Sequence, residues 1–364
     1  MYKKILLVIL LVFVVGWTFS AESKLDSFHK NVIELYEKGY IQKAAHVAEK
    51  ALNIAQKKFP PDSFYVARAM NDLASVYSAQ GRFDEAEVLF GQAIGIYEKI
   101  YDQESLDLAK ALNNLANLYY IQGRPKDAEL LYKRSLFIKE KILEADDPEI
   151  AKALNNLAEA FRVQDKLNEA EFLYREAIVI LEKAHGKIHP DLARTFNNLA
   201  NLYYLEGDNA EAEVLYEKAV NIYENFPGVY PLHKADAMNG LADIYVTQEK
   251  FDEAEELFKA SLDIYDEILR DDNFRLLEPL NGLADIYYLK KDYKSSEDYY
   301  EKTLELTRYI YGENSPKEVI VLENMVLLFE KMDKQEEAQE LQRAIDKING
   351  KTEALKEEDE SQGS

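Results

Sequence analysis

Asn113-Asn114-Leu115-Ala116 decides the fold, because this short segment returns along the chain at one unchanging interval. Asn71-Asp72-Leu73-Ala74 precedes it. Asn155-Asn156-Leu157-Ala158, Asn197-Asn198-Leu199-Ala200, Asn239-Gly240-Leu241-Ala242, Asn281-Gly282-Leu283-Ala284 and a degraded Glu323-Asn324-Met325-Val326 follow. Every step is 42 residues. A fixed period over most of a chain marks stacked units, none of which buries its apolar face alone. Around Asn113 the apolar residues Leu112, Leu115, Ala116 and Tyr119 form the i, i+3, i+4, i+7 stripe of a first helix. Gly123 follows, with counterparts at Gly39, Gly81 and Gly207, and glycine takes the left-handed backbone that ends a helix. Asp165, Glu249, Lys291 and Asp333 stand there in other units, which predicts less ideal turns. A second helix carries Ala128, Leu131, Tyr132, Ser135 and Leu136. Its small residue recurs as Ala44, Ala86, Ala128, Ala170, Ala212, Ala254, Ser296 and Ala338, which lets two helices approach closely.

Helix, turn, small residue and aromatic at these offsets resemble the tetratricopeptide repeat. With Ala67 as the first position of its unit, Leu73, Ala74, Tyr77, Gly81, Ala86, Phe90 and Ala93 match the signature positions. The 42-residue period, the asparagine-rich first helix and Gly186-x-x-His189-Pro190 are most similar to the kinesin light chain type. The resemblance runs from about Leu25 to Ile348, with Ser296, Pro125 and Asn209 as local departures and no Trp at the fourth position. It implies an all-α chain, a right-handed α-solenoid of about eight helix-turn-helix repeats, with units starting near residues 25, 67, 109, 151, 193, 235, 277 and 319. The solenoid is expected over 22–349, followed by an acidic disordered tail over 350–364. Gln342 and Asp346 read as a polar cap on the last unit. Pro227, Gly228 and Pro231 predict an irregular seam between Glu224 and Lys234.

At the N-terminus, Lys3 and Lys4 precede a charge-free run of 17 residues from Ile5 to Ala21, with small residues at Ser20 and Ala21. This is the pattern of a signal peptide over 1–21, and it predicts export to a periplasm or the medium after cleavage. The alternative is an uncleaved anchor, since such a run reaches the lower edge of the roughly 17–25 residues that span hydrocarbon. With 44 Lys+Arg against 67 Asp+Glu the formal charge is −23. Removal of Lys3 and Lys4 with the leader leaves 42 basic residues and a charge of −25. Trp17, the one tryptophan, leaves as well. A chain this acidic is a poor ligand for nucleic acid or anionic lipid, so no membrane contact is expected beyond the leader. Zero Cys excludes disulfides, thiol nucleophiles and a lipid-modified cysteine.

No arrangement of nucleophile, base and anion-stabilising groups appears, and no phosphate-binding or zinc motif, so no catalytic residue, metal or cofactor is expected. His185 and His189 lie four apart, but Gly186 and Pro190 place them in a connection. The informative positions are two, five, six and nine of each first helix, which share one face. Position two is Arg68, Lys110, Lys152 and Arg194 in four consecutive units. Position five holds Asn71, Asn113, Asn155 and Asn197; position six holds Asn114, Asn156 and Asn198; position nine holds Asn117 and Asn201. The resemblance implies that this face lines a concave groove for extended peptides or partner helices. Amides offer donors and an acceptor to any peptide backbone, and the basic column favours a partner with an acidic segment or a C-terminal carboxylate. Hydrogen bonds between adjacent repeats would use the same asparagines equally well. In later units Asp236, Asp243, Glu278 and Asp285 make the corresponding face acidic. The function read from the sequence is an exported, non-enzymatic scaffold for a protein or peptide. The alternative is a structural, self-associating component of an envelope assembly.

Overall fold

The computed structural model describes residues 21–36, 38–101, 104–269 and 273–362, as backbone alone beyond Gly350. The expected leader lies almost wholly outside them. Among the described residues the chain is helical and without strands, and it divides into two compact units, Met1–Gly186 and Lys187–Ser364. The first holds α1 (residues 21–36), α2 (Ile41–Lys58), α3 (Phe64–Ala79), α4 (Phe83–Ile100), α5 (Leu106–Ile121), α6 (Pro125–Ile142), α7 (Pro148–Arg162) and α8 (Leu167–His185). The second holds α9 (Pro190–Glu206), α10 (Asn209–Glu224), α11 (Pro231–Thr247), α12 (Phe251–Ile268), α13 (Leu277–Leu289), α14 (Tyr293–Tyr311), α15 (Glu318–Lys331) and α16 (Gln335–Gln362). A 3-10 turn, Phe274–Leu276, leads into α13.

Within each unit, helices pair as antiparallel hairpins and each hairpin packs on the next. The small-residue column sits at the contact and is buried throughout. Ser296, the one departure in it, donates its hydroxyl to the Ala284 carbonyl at 2.9 Å, so the extra polar atom is satisfied across the hairpin. Local chemistry sets several helix starts. Ser105, Asp147 and His189 accept backbone N–H bonds as N-caps, and Pro148, Pro190 and Pro231 stand at first-turn positions where no N–H is needed.

One sequence expectation changes. The anticipated seam over Pro227–Pro231 lies inside the second unit, where α10 and α11 pack on each other, and the chain divides at Gly186 instead. The backbone of α16 is helical to Gln362. In the acidic run around Asp252, Glu253, Glu255 and Glu256, Glu255 is tied into the packing and accepts bonds from Lys259 at 2.5 Å, Lys290 at 2.5 Å and Tyr287 at 2.7 Å. It belongs to a column in which a glutamate of one second helix meets a base of the next hairpin. Glu87–Arg124 (3.5 Å), Glu129–Lys166 (2.7 Å), Glu213–Lys250 (3.5 Å) and Glu297–Lys334 (2.6 Å) are the others.

Candidate functional site

Positions five, six and nine of the first helices carry two recurrent hydrogen bonds. One runs between repeats: the Asn114 amide donates to Asn71 Oδ1 at 3.3 Å, and Asn156 donates to Asn113 Oδ1 at 2.9 Å. The other closes each hairpin, as Tyr132 donates to Asn117 at 2.5 Å and Tyr216 to Asn201 at 2.5 Å. Tyr174 donates to Glu159 and Tyr300 to Asp285 in the same register. Asn155 is 2% exposed, with its amide turned back to the Ala151 carbonyl at 3.2 Å, and Asn239 is fully buried. The ladder therefore uses Asn71, Asn113, Asn114 and Asn156 partly as scaffold, and Asn155 is withdrawn from the accessible strip. In the second unit, position six of the repeat after Asn197 is Gly240, which offers no amide, and the Asn197 Oδ1 is buried without a hydrogen-bond partner among the described residues. Asn198, beside it, is half-buried.

The basic column divides in the same way. Arg68 is paired with Asp26 at 2.6 Å and lies over the rings of Phe64 and Tyr65, Lys152 is paired with Glu149 at 3.1 Å, and Arg194 is paired with Asp191 at 3.5 Å. Lys110 is exposed and has no ion-pair partner among the described residues. It stands at a cavity of about 500 Å³ formed by α1, α3, α4 and α5, which brings together Arg68, Asn71, Lys110, Asn114 and Asn117. Val32, Ile33, Tyr36 and Val76 supply its apolar wall. The sequence reading missed Tyr97 and the His29–Asp72 pair. Tyr97 is 2% exposed, lines the cavity, and its hydroxyl has no hydrogen-bond partner among the described residues. Burial and the nearby Asp107 and Asp72 hold its proton on far above the usual tyrosine range, so it is a donor at every physiological pH. His29 Nδ1 lies 2.7 Å from Asp72 Oδ2 and ties α1 to α3. The one signal for these was Asp72 itself, the acid that replaces asparagine in the first copy of the motif.

In the second unit the acidic residues gather on α11 and α13. Asp236 accepts from Tyr265 at 2.6 Å and pairs with Arg275 at 3.5 Å; Glu278 accepts from Asn239 at 3.4 Å; Asp285 accepts from Asn281 at 3.0 Å as well as from Tyr300. Asp243 holds the hairpin-closing position, but the residue fifteen later is Phe258, which has no hydroxyl to donate. Crowding by the surrounding protein, then the charges of Glu278 and Asp285, push its carboxyl up to about 7. Glu278 and Asp285 are raised for the same first reason.

A sequence profile for the tetratricopeptide repeat matches residues 35–99, 65–141, 107–183, 149–225, 191–267, 233–308 and 275–345. No curated protein sequence matches the chain. Among solved structures, BtubC (BKLC) from P. vanneervenii is similar at 25% identity with a TM-score of 0.54, over 62% of this chain and 91% of that one. Kinesin light chain TPR-like repeats of Podosopora anserina are similar at 25% identity with a TM-score of 0.48, over 57% and 98% of the two chains. The pilF protein of Pseudomonas aeruginosa is 19% identical with a TM-score of 0.47, over 68% and 92%.

Proposed function

Because this chain belongs to the tetratricopeptide repeat family, we propose that it is an exported, non-enzymatic scaffold that holds a protein or peptide partner on the shared face of its first helices. The observation that carries this reading is the cavity at Lys110. A cation without an internal partner, an open tyrosine hydroxyl and ladder amides converge there beside an apolar wall. Such a set holds an extended backbone through the amides and an acidic side chain through Lys110 and Tyr97. Of the four basic residues, Lys110 does the recognising, because the others are already neutralised by acids of this chain. Partner capture from the native envelope or secreted fraction tests this. Lys110→Glu is expected to reduce capture about tenfold or more, the scale of a lost charge-assisted hydrogen bond, with the helical circular dichroism unchanged. Undiminished capture would remove the reading.

Export rests on the Lys3-Lys4 and Ile5–Ala21 pattern. The mature protein is then expected to show no tryptophan emission, whereas an uncleaved anchor keeps Trp17. A second reading, self-association in an envelope assembly, is favoured by apolar side chains exposed at one position of successive second helices. Val88, Leu130 and Phe172 occupy it in the first unit, with Leu130 68% exposed. Light scattering separates the two, since a concentration-independent monomer that still captures its partner supports the first.

A further inference from the structure

We infer that a pocket in the second unit, walled by α11, α13, α14 and α15, receives a lysine or arginine side chain of the bound segment. The aliphatic stem lies against Leu289 and Leu327, and the cationic head meets the Asp285 carboxylate. This deepens the peptide-binding reading and rests on it. The pocket encloses about 330 Å³. Its two leucines are 45% and 53% exposed, and Leu327 occupies the ninth position, where the six preceding repeats have Asn, Asp, Glu or Ser. An exposed leucine at a polar position, next to a carboxylate, is the surface that a long basic side chain covers, because its methylenes bury while its head stays polar.

Three further features point to a cationic occupant. The Asp285 oxygens each accept one internal bond, from Tyr300 and Asn281, which leaves outward lone pairs free for a guanidinium or ammonium. Among the described residues, no basic side chain lines the pocket. Asn324 also lines it, at the place where Asn114 and Asn156 donate to the preceding repeat in the first unit, yet it has no hydrogen-bond partner among the described residues. The matching acceptor, Asn281 Oδ1, is buried without one. The ladder is thus open here, and the Asn324 amide can bond the backbone of the segment that brings the cation. Asp243, on α11, feels the charges of Glu278 and Asp285, so the carboxylate of the pocket has further acids close by. Tyr288 and Tyr300 also line the pocket.

Methyl-resolved NMR of the full chain, titrated with Nα-acetyl-arginine amide, Nα-acetyl-lysine amide and the neutral Nα-acetyl-norleucine amide, tests the assignment. The two cationic probes are expected to shift the Val246, Leu289 and Leu327 methyls saturably, and the neutral probe is not. Asp285→Asn keeps an acceptor for Tyr300 and should weaken the response about tenfold. Leu327→Ser, at an exposed position, should weaken it without touching the fold. Equal shifts from the neutral probe, or an unchanged response in Asp285→Asn, would overturn the assignment. Capture that survives in Asp285→Asn but is lost in Lys110→Glu would sink this pocket alone, whereas capture indifferent to both variants sinks the scaffold reading itself.

Discussion

Gly240 and Gly282 have a reason that only atomic contacts give. A Cβ on Gly240 would stand 2.4 Å from the Tyr216 ring, and one on Gly282 would stand 2.4 Å from the Phe258 ring. The second unit thus trades the ladder amide at position six for a deeper aromatic seat. Gly240→Ala is expected to lower stability by about 1–3 kcal/mol, the range for overpacking, in chemical denaturation. Gly95, in the middle of α4, meets nothing within 4 Å. There the same substitution removes only chain freedom, and Gly95→Ala should raise stability by roughly 0.5–1 kcal/mol. If both substitutions moved stability in the same direction, the packing explanation for Gly240 would fail.

Hairpin turns show how one geometry tolerates several residues. Gly81, Gly123 and Gly207 take φ of 75°, 72° and 81°. Asp165, Glu249, Lys291 and Asp333 take 61°, 60°, 64° and 60°. The closing bond is the same as well: Arg124 N–H to the Tyr119 carbonyl at 2.8 Å, Lys250 to Tyr245 at 2.9 Å and Asp292 to Tyr287 at 2.9 Å. The turns expected to be less ideal are therefore equal in shape, and the difference appears as backbone strain. A non-glycine residue in this region costs about 1–2 kcal/mol. Glu249→Gly and Lys291→Gly, at exposed positions, should each stabilise by about 1 kcal/mol in thermal melts, once glycine's own entropy is set against the relief. A loss in both would show that packing by those side chains outweighs the strain.

Across the whole molecule, charge gives the second unit its own pH response. The Asp243 carboxyl, on α11, is raised to about 7, with Glu278 and Asp285 on α13 and Tyr204 on α9 around it. A carboxyl raised on folding stabilises the fold fully below its ordinary range near 4, and that contribution is lost as pH rises through about 7. Clamped acids behave oppositely. Against a burial that opposes charge, bonds from Lys133, Lys166 and Gln164 hold Glu129 down at about 2, so its contribution is lost only as pH falls below the usual glutamate range. Between pH 8 and pH 5 the Asp243 response dominates. The wild-type melting temperature is expected to rise toward pH 5 relative to Asp243→Asn, measured over the same range. Parallel profiles for the two proteins would refute it.

The period, the hairpins, the buried small-residue column and the face that carries the asparagines were all legible in the linear chain. They follow from helical spacing and from one unit repeated, and a repeat writes its packing rule into the sequence many times over. Which polar side chains on that face remain open was not legible. It depends on a partner 43 residues away in the next repeat, or fifteen away across a hairpin: Asn113 is engaged because Asn156 reaches it, and Asp243 lacks a donor because residue 258 is phenylalanine. Lys110 and Arg68 are alike in sequence position, and only the placement of Asp26 separates the open cation from the neutralised one. The sequence by itself determined the architecture, since burial of apolar stripes is a property of each unit and its neighbours in register. Tertiary structure alone decided the site, because hydrogen bonds and ion pairs are settled within about 3 Å, a distance that residue spacing does not specify.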